Sequence, residues 1–427
     1  MFYARGLLSC WVLVVGGIAA RDAAAQVPAG TVRPGISVLF DDSIHVIRGK
    51  RVGLLTNQSG VDEYRVSDID RLTDERAKAN GVQLVALFAP EHGIRGTEDR
   101  TNLASGMDEK TGVVIYSLYG RTTTAPADSS LRGIDVLLVD LQDLGARPWT
   151  YPASMLYTLR AAARNRVPIV ILDRPNPITG THVEGPIVDS ALTNPNDDAP
   201  AKHAQPTSIY PIPLRHGLTM GEMALFYNRE LALGADLRVI PAAGWRRSMW
   251  FDETGLPWVR PSPNMPSLTS ATLYPGMVTL EPTNLSVGRG TDSTFQRFGA
   301  PWMNASAVAA RLAGKNLPGV RFTPEEFTPH NPGDRKYGGR TIPGVRIWIT
   351  DREQFDATLT AAAIVWAVGR EHPGSLTVQP VGYDRTFGGL GLREALLRGD
   401  DPATVLASTR RSVDAFNANV QAVLLYH

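Results

Sequence analysis

Pro168-Ile169-Val170-Ile171-Leu172, followed at once by Asp173-Arg174-Pro175-Asn176-Pro177, decides how this chain is read. Five consecutive apolar residues, β-branched at three positions, are the composition of a strand covered on both faces, which is how parallel sheets are built. Working outward, the same pattern recurs. Arg51 to Thr56 (RVGLLT), Val82 to Phe88, Val113 to Ser117 and Ile134 to Asp140 read as further strands. Ile69 to Asn80 and Tyr151 to Arg164 read as the helices between them, and Leu237 to Ile240 as one more strand. Short apolar runs alternating with helical patterns predict parallel α/β units. After a Pro-rich stretch, Thr219-Met220-Gly221-Glu222 has the spacing of a capping box and starts a helix running to about Leu233. Beyond about residue 265 the pattern changes: helices at Ala305 to Ala313 and Gln354 to Val368 surround a strand at Val345 to Thr350. The expected fold is α/β, with a Rossmann-like, mostly parallel sheet domain over residues 34–265 and a smaller α+β auxiliary domain over 266–427.

The 427 residues carry 43 Lys plus Arg against 42 Asp plus Glu. That balance gives no basic excess for a nucleic-acid or membrane-surface partner. Residues 1–25 read as a signal peptide: Arg5, an apolar stretch from Gly6 to Ala20, then Ala23-Ala24-Ala25 ahead of Gln26. The apolar stretch is short for a bilayer span, so the expectation is an exported protein, periplasmic or extracellular, without stable membrane insertion after cleavage. Cys10 is the single cysteine and lies in that leader, which leaves the mature chain no disulfide, thiol nucleophile or cysteine metal site.

In open parallel sheets, ligands bind beyond the carboxyl ends of the strands. Four such ends here carry polar clusters: Asn57 and Gln58; Glu91, His92 and Arg95; Asp140, Gln142, Asp143, Arg147, Trp149 and Tyr151; and Asp173, Arg174 and Asn176. Neither G-x-G-x-x-G nor a phosphate-binding P-loop is present, so no nucleotide cofactor is expected. No G-x-S-x-G supports a serine hydrolase, and no H-E-x-x-H or other spacing supports a metal. What remains is carboxylate chemistry with amide, arginine and aromatic support, the equipment of a glycosidase. Glu91, between Pro90 and Gly93, is the first candidate for the general acid, with His92 beside it. Glu184, in Val183-Glu184-Gly185-Pro186, is the second candidate. Arg147, Arg174, Arg215 and Arg289 suit a substrate carboxylate, while Trp149, Tyr151 and Tyr274 offer faces for sugar rings.

These residues fall in motifs that resemble a known family. LLTNQSG (54–60), APEHGIRG (89–96), VDLQDLGARPWTY (139–151), LDRPNPI (172–178), VEGP (183–186), PIPLRHGLTMGE (211–222), PSPNMPSL (261–268), YPG (274–276) and EPTNLSVGRGT (281–291) are similar to the NamZ-type exo-β-N-acetylmuramidases. The resemblance implies a Rossmann-like domain joined to an auxiliary domain, with the site in the cleft between them. It implies release of terminal N-acetylmuramic acid (MurNAc) from the non-reducing ends of peptidoglycan saccharides, without metal or nucleotide, and favours Glu91 as the key catalytic residue. From its motifs His216, Asn264, Glu281 and Asn284 join the substrate-binding candidates. Residues 193–210 depart from the family pattern, which leaves substrate length preference open. A non-catalytic cell-wall sugar-binding protein and a related β-hexosaminidase are the alternatives.

Overall fold

The computed structural model describes residues 1, 30–95, 105–119, 124–195 and 206–427. Apart from Met1, the leader lies outside the described residues. The main sheet has seven strands: β1 Arg51–Thr56, β2 Gln83–Ala89, β3 Gly106–Met107, β4 Val114–Ser117, β5 Val136–Asp140, β6 Ile169–Leu172 and β7 Leu237–Ile240. Their order is β3-β4-β2-β1-β5-β6-β7, and only the β3–β4 pair is antiparallel. Every residue of β5 and β6 is buried. Alternate side chains explain this. Leu137, Val139, Ile169 and Ile171 enter one hydrophobic cluster with residues of the helices Tyr151–Asn165 and Met220–Glu230. Val136, Leu138, Val170 and Leu172 enter the other with Ile36, Leu39 and Ile69 from the helices Gly35–Asp42 and Asp68–Thr73.

The helix expected over Ile69 to Asn80 is two helices, Asp68–Thr73 and Glu75–Ala79. Asp74 separates them because its carboxylate accepts the Ala77 N–H and caps the second. The Thr219 capping box forms as expected.

The second sheet is antiparallel, in the order β8-β10-β9, from β8 Arg297–Gly299, β9 Val320–Phe327 and β10 Ile342–Ile349. Pro324 is tolerated in β9 because that strand is at the sheet edge. The helix Leu268–Met277 packs on Ala357–Glu371. A Cβ at Gly276 would lie 2.0 Å from the Ala357 carbonyl oxygen, so the glycine of the YPG motif is required by close backbone approach. One hydrophobic cluster runs from Phe88 through Trp149 and Tyr274 to Val345 and Ala363, so the two sheets share a core. The chain then returns to its first half. Tyr426 packs its ring 4.8 Å from that of Trp245, and its hydroxyl donates to Asp173 Oδ2 at 2.7 Å.

The chain leaves β1 toward β2 and re-enters the sheet on the other side at β5, so β1 and β5 flank the switch point. In this fold class that crevice takes the ligand. Here it is closed. Ser59 donates to Asn57 Oδ1 at 2.6 Å, Gln142 N–H donates to Ser59 Oγ at 3.2 Å, and among the described residues the pocket beside them holds about 10 Å³.

Candidate active site

A cleft of about 350 Å³ lies instead over the ends of β2 and β5, walled by residues from both halves of the chain. β2 ends at Ala89, and Pro90 starts a tight turn in which Gly93 N–H donates to the Pro90 carbonyl at 3.1 Å. His92 takes φ +70° and is buried. A left-handed residue other than glycine costs about 1 kcal/mol or more, and such backbone clusters at functional sites. The turn sets Glu91 at the cleft wall, where Thr150 Oγ1 donates to Glu91 Oε2 at 2.5 Å. Thr150 is the residue before the helix Tyr151–Asn165, so the carboxyl is tied to the most buried helix of the sheet.

Aromatic rings line the cleft. The Trp149 ring meets Tyr274 edge-on at 5.5 Å, and Tyr274 meets Phe295 at 5.0 Å. The indole N–H of Trp149 is buried and makes no hydrogen bond, so a ligand oxygen would satisfy it. Burial first, then the Glu281 and Glu91 carboxylates, push the Tyr274 hydroxyl well above the usual phenol range, which keeps it neutral.

The opposite wall carries Ser262, Asn264, Glu281, Arg289 and Asp334. Arg289 sits between Gly288 and Gly290, with φ of +78° and +77°. A Cβ on Gly290 would come within 2.5 Å of the His330 carbonyl oxygen, so the loop must carry glycine there. Arg289 Nε donates to Glu281 Oε1 at 2.5 Å, and its guanidinium lies 5.4 Å from the centre of the Phe295 ring. Lys336 fixes the same loop from behind, donating to the Glu281 and Leu285 carbonyls at 2.7 and 2.9 Å.

Of the candidates from the sequence, the cleft thus brings together Glu91, His92, Asn264, Glu281 and Arg289, with Trp149 and Tyr274. The others do not line this cleft, although the Tyr151 ring packs on that of Trp149 at 5.0 Å. Glu184 does not line this cleft: it pairs with buried Arg215 at 2.5 Å and accepts the Ala357 N–H at 3.2 Å. Burial raises its carboxyl to about 7 despite Arg215. Asp140 pairs with Arg174, which also donates to the Val61 carbonyl. Burial, and then Asp140, push the Asp68 carboxyl beside this pair well up. Asn57 accepts from Ser59, and Gln142 donates to the Asp143 and Pro175 carbonyls, both at 2.9 Å. Arg147 is buried among the carbonyls of Pro186, Ile212 and Thr386, tying the two halves together. The Tyr151 hydroxyl donates to the Pro261 carbonyl. Asp173 accepts from Thr219, Gly221 and Tyr426. Asn176 bridges Ile178 and Leu218, and His216 accepts from Leu218 N–H and lies 3.4 Å from Asp143. Arg95 pairs with Asp108, and Asn284 holds Ser375 and Thr377.

Sequence reasoning missed Thr150, Ser262, Met265, Phe295 and Asp334. Thr150, Ser262 and Met265 lie inside quoted motifs and could have been named from them. Asp334 lies in a turn-rich loop, Asn331-Pro332-Gly333-Asp334, with no pattern that marks chemistry.

A parallel α/β sheet whose carboxylate- and arginine-bearing cleft is floored with aromatic rings defines a sugar-active protein, and comparison with known proteins makes it a glycoside hydrolase. The family described as "Exo-beta-N-acetylmuramidase NamZ" matches with its N-terminal part over residues 52–269 and its C-terminal part over 272–426. The chain belongs to this family. It is 37% identical over 397 residues to the peptidoglycan β-N-acetylmuramidase NamZ of Bacillus subtilis, covering 92% of this chain and 91% of that protein. Two crystal structures of DUF1343 family proteins from Bacteroides fragilis are also similar. One has a TM-score of 0.82 and 33% identity, covering 94% of this chain and 100% of that one. The other has a TM-score of 0.72 and 28% identity, covering 93% and 99%.

Proposed function

We propose that this chain releases terminal β-linked MurNAc from the non-reducing ends of peptidoglycan fragments, with Glu91 as the general acid. The observation that carries the assignment of roles is the cleft itself: Glu91, held by Thr150, lines it together with Arg289 from the other half of the chain. A glycosidase needs a positioned acid to protonate the departing glycosidic oxygen. Glu91 supplies it from a rigid turn. MurNAc differs from N-acetylglucosamine (GlcNAc) by a lactyl ether bearing a carboxylate, and Arg289 offers that carboxylate a charged donor. Trp149 and Tyr274 provide ring faces and, from Trp149, an unused N–H.

The reading extends to location. Residues 1–25 act as an export signal, which places the enzyme where peptidoglycan is. Mass measurement of the secreted chain would begin at Gln26; a retained Met1 would reject cleavage.

The test of function is release of sugar from a chromogenic MurNAc β-glycoside, beside its GlcNAc counterpart, by the wild type and by Glu91→Gln. Turnover of the MurNAc substrate that falls on the order of 10²- to 10⁴-fold in the variant supports the assignment. Undiminished turnover in the variant rejects Glu91 as the acid, and preference for GlcNAc points to a hexosaminidase.

A further inference from the structure

Asp334 belongs to the loop between β9 and β10 and reaches the cleft wall beside Gly333. Its Oδ1 accepts the Lys336 N–H at 3.1 Å, which orients the carboxyl. Its Oδ2 is buried and makes no hydrogen bond. The Lys336 ammonium pairs with it at 3.9 Å, beyond hydrogen-bond reach, and spends two of its three N–H groups on carbonyls. Buried polar atoms are nearly always satisfied, so an oriented carboxylate oxygen without a donor at a ligand cleft marks a place for a ligand N–H or O–H. Burial holds this carboxyl above the usual carboxylate range, against the pull of the Lys336 N–H, the Lys336 ammonium and Arg289.

The acetamido group at C2 of MurNAc is a donor of the right kind, adjacent to the carbon that reacts. We propose that Asp334 is the second catalytic carboxylate, accepting the acetamido N–H of the substrate while the acetamido oxygen attacks the anomeric carbon. The inference rests on the muramidase reading above. In the first step the bond from C1 to the acetamido oxygen forms and the bond from C1 to the glycosidic oxygen breaks. Glu91 gives its proton to that leaving oxygen, and the N–H proton passes to Asp334, leaving a neutral cyclic oxazoline. In the second step water attacks C1 and gives a proton to the Glu91 carboxylate. The C1–oxazoline oxygen bond breaks, and Asp334 returns its proton to nitrogen. Two displacements at C1 give net retention of configuration.

The test uses the mature wild-type enzyme and Asp334→Asn, which keeps a carbonyl oxygen for the Lys336 N–H, on chromogenic MurNAc substrates with acetyl or trifluoroacetyl on nitrogen. Expected are a β-configured first product by NMR and a wild-type kcat that falls sharply on fluorination. Asp334→Asn should lower kcat on the order of 10²- to 10⁴-fold with little change in KM and an unchanged melting temperature. An α-configured first product, a wild-type rate indifferent to fluorine, or a variant altered only in stability or KM overturns the proposal while leaving the muramidase reading intact. Should the variant fail to fold, stereochemistry and the fluorine effect on the wild type decide alone. An inert wild type refutes the muramidase reading and this inference with it.

Discussion

Replacing Arg289 by alanine tests whether this cleft reads the lactyl carboxylate. The guanidinium is held on two sides, with Glu281 taking Nε at 2.5 Å and Phe295 under its face, and its backbone is tied by Thr291 N–H on the Gly288 carbonyl at 3.1 Å and His330 N–H on the Gly290 carbonyl at 2.8 Å. Its side chain is 19% exposed, so a carboxylate arriving from the cleft meets a partly desolvated charge. A hydrogen bond to such a charge is worth about 1.5–3 kcal/mol, or roughly 10- to 150-fold in kcat/KM. That factor applies only to the sugar bearing the carboxylate. Arg289→Ala also takes from Glu281 its hydrogen-bonded cation, leaving the Lys336 ammonium nearby, and this second effect falls on MurNAc and GlcNAc substrates alike. The ratio of the two kcat/KM values is therefore the quantity to measure, for wild type, Arg289→Ala and Arg289→Lys. The ratio should fall by that factor in the alanine variant and by less in the lysine variant, which keeps charge but loses the planar fork. Equal losses on both sugars would refute the recognition role and leave Arg289 as a support for Glu281.

Glu184→Gln is expected to leave kcat and KM of the folded enzyme unchanged, because Glu184 pairs with Arg215 away from the cleft, and to act on the melting temperature alone; a lost kcat without lost stability would restore it as a catalytic candidate. Burial pushes the Asp173 carboxyl from 3.8 to about 7, so the folded protein keeps a proton there that the unfolded chain releases near pH 4. Stability from this group therefore falls as pH rises between those values, by about 3 kcal/mol from pH 5 to 8, and Asp173→Asn should remove that share of the slope in chemical denaturation; parallel slopes in the two proteins would reject it.

The parallel sheet was legible because its strands are covered on both faces: continuous apolar runs such as PIVIL admit few other readings, and β1, β5, β6 and β7 fall where expected, within two residues. The auxiliary part was less so. β9, Val320–Phe327, alternates polar residues and contains Pro324, which only its edge position permits. In the site, the turn at Glu91 was legible because Pro90 and Gly93 bracket it. The polar residues directly after β1, β5 and β6 misled for a physical reason. Asp140 and Arg174 pair with each other, and Asn57 Oδ1, Gln142 and Asp173 bond neighbouring protein groups, filling the crevice at the switch point rather than opening it. A sequence shows that such residues are polar; it does not show whether their partners are protein or ligand.

Closing that crevice has a consequence for function. With the usual ligand position filled, the cleft shifts onto β2 and the segment before the helix Tyr151–Asn165, and it gains its second wall from the other half of the chain. Glu91 thus sits on the sheet side, while Glu281, Arg289 and Asp334 sit on loops of the auxiliary side, 288–290 being held by the Thr291 and His330 N–H groups on the Gly288 and Gly290 carbonyls. Arg147 and the shared core couple the two walls, so their separation is set by packing rather than by a flexible linker. Bond cleavage then depends on the fit between halves, and disturbance of the Arg147 clamp, whose side chain does not line the cleft, should act on kcat through the distance between Glu91 and the opposite wall.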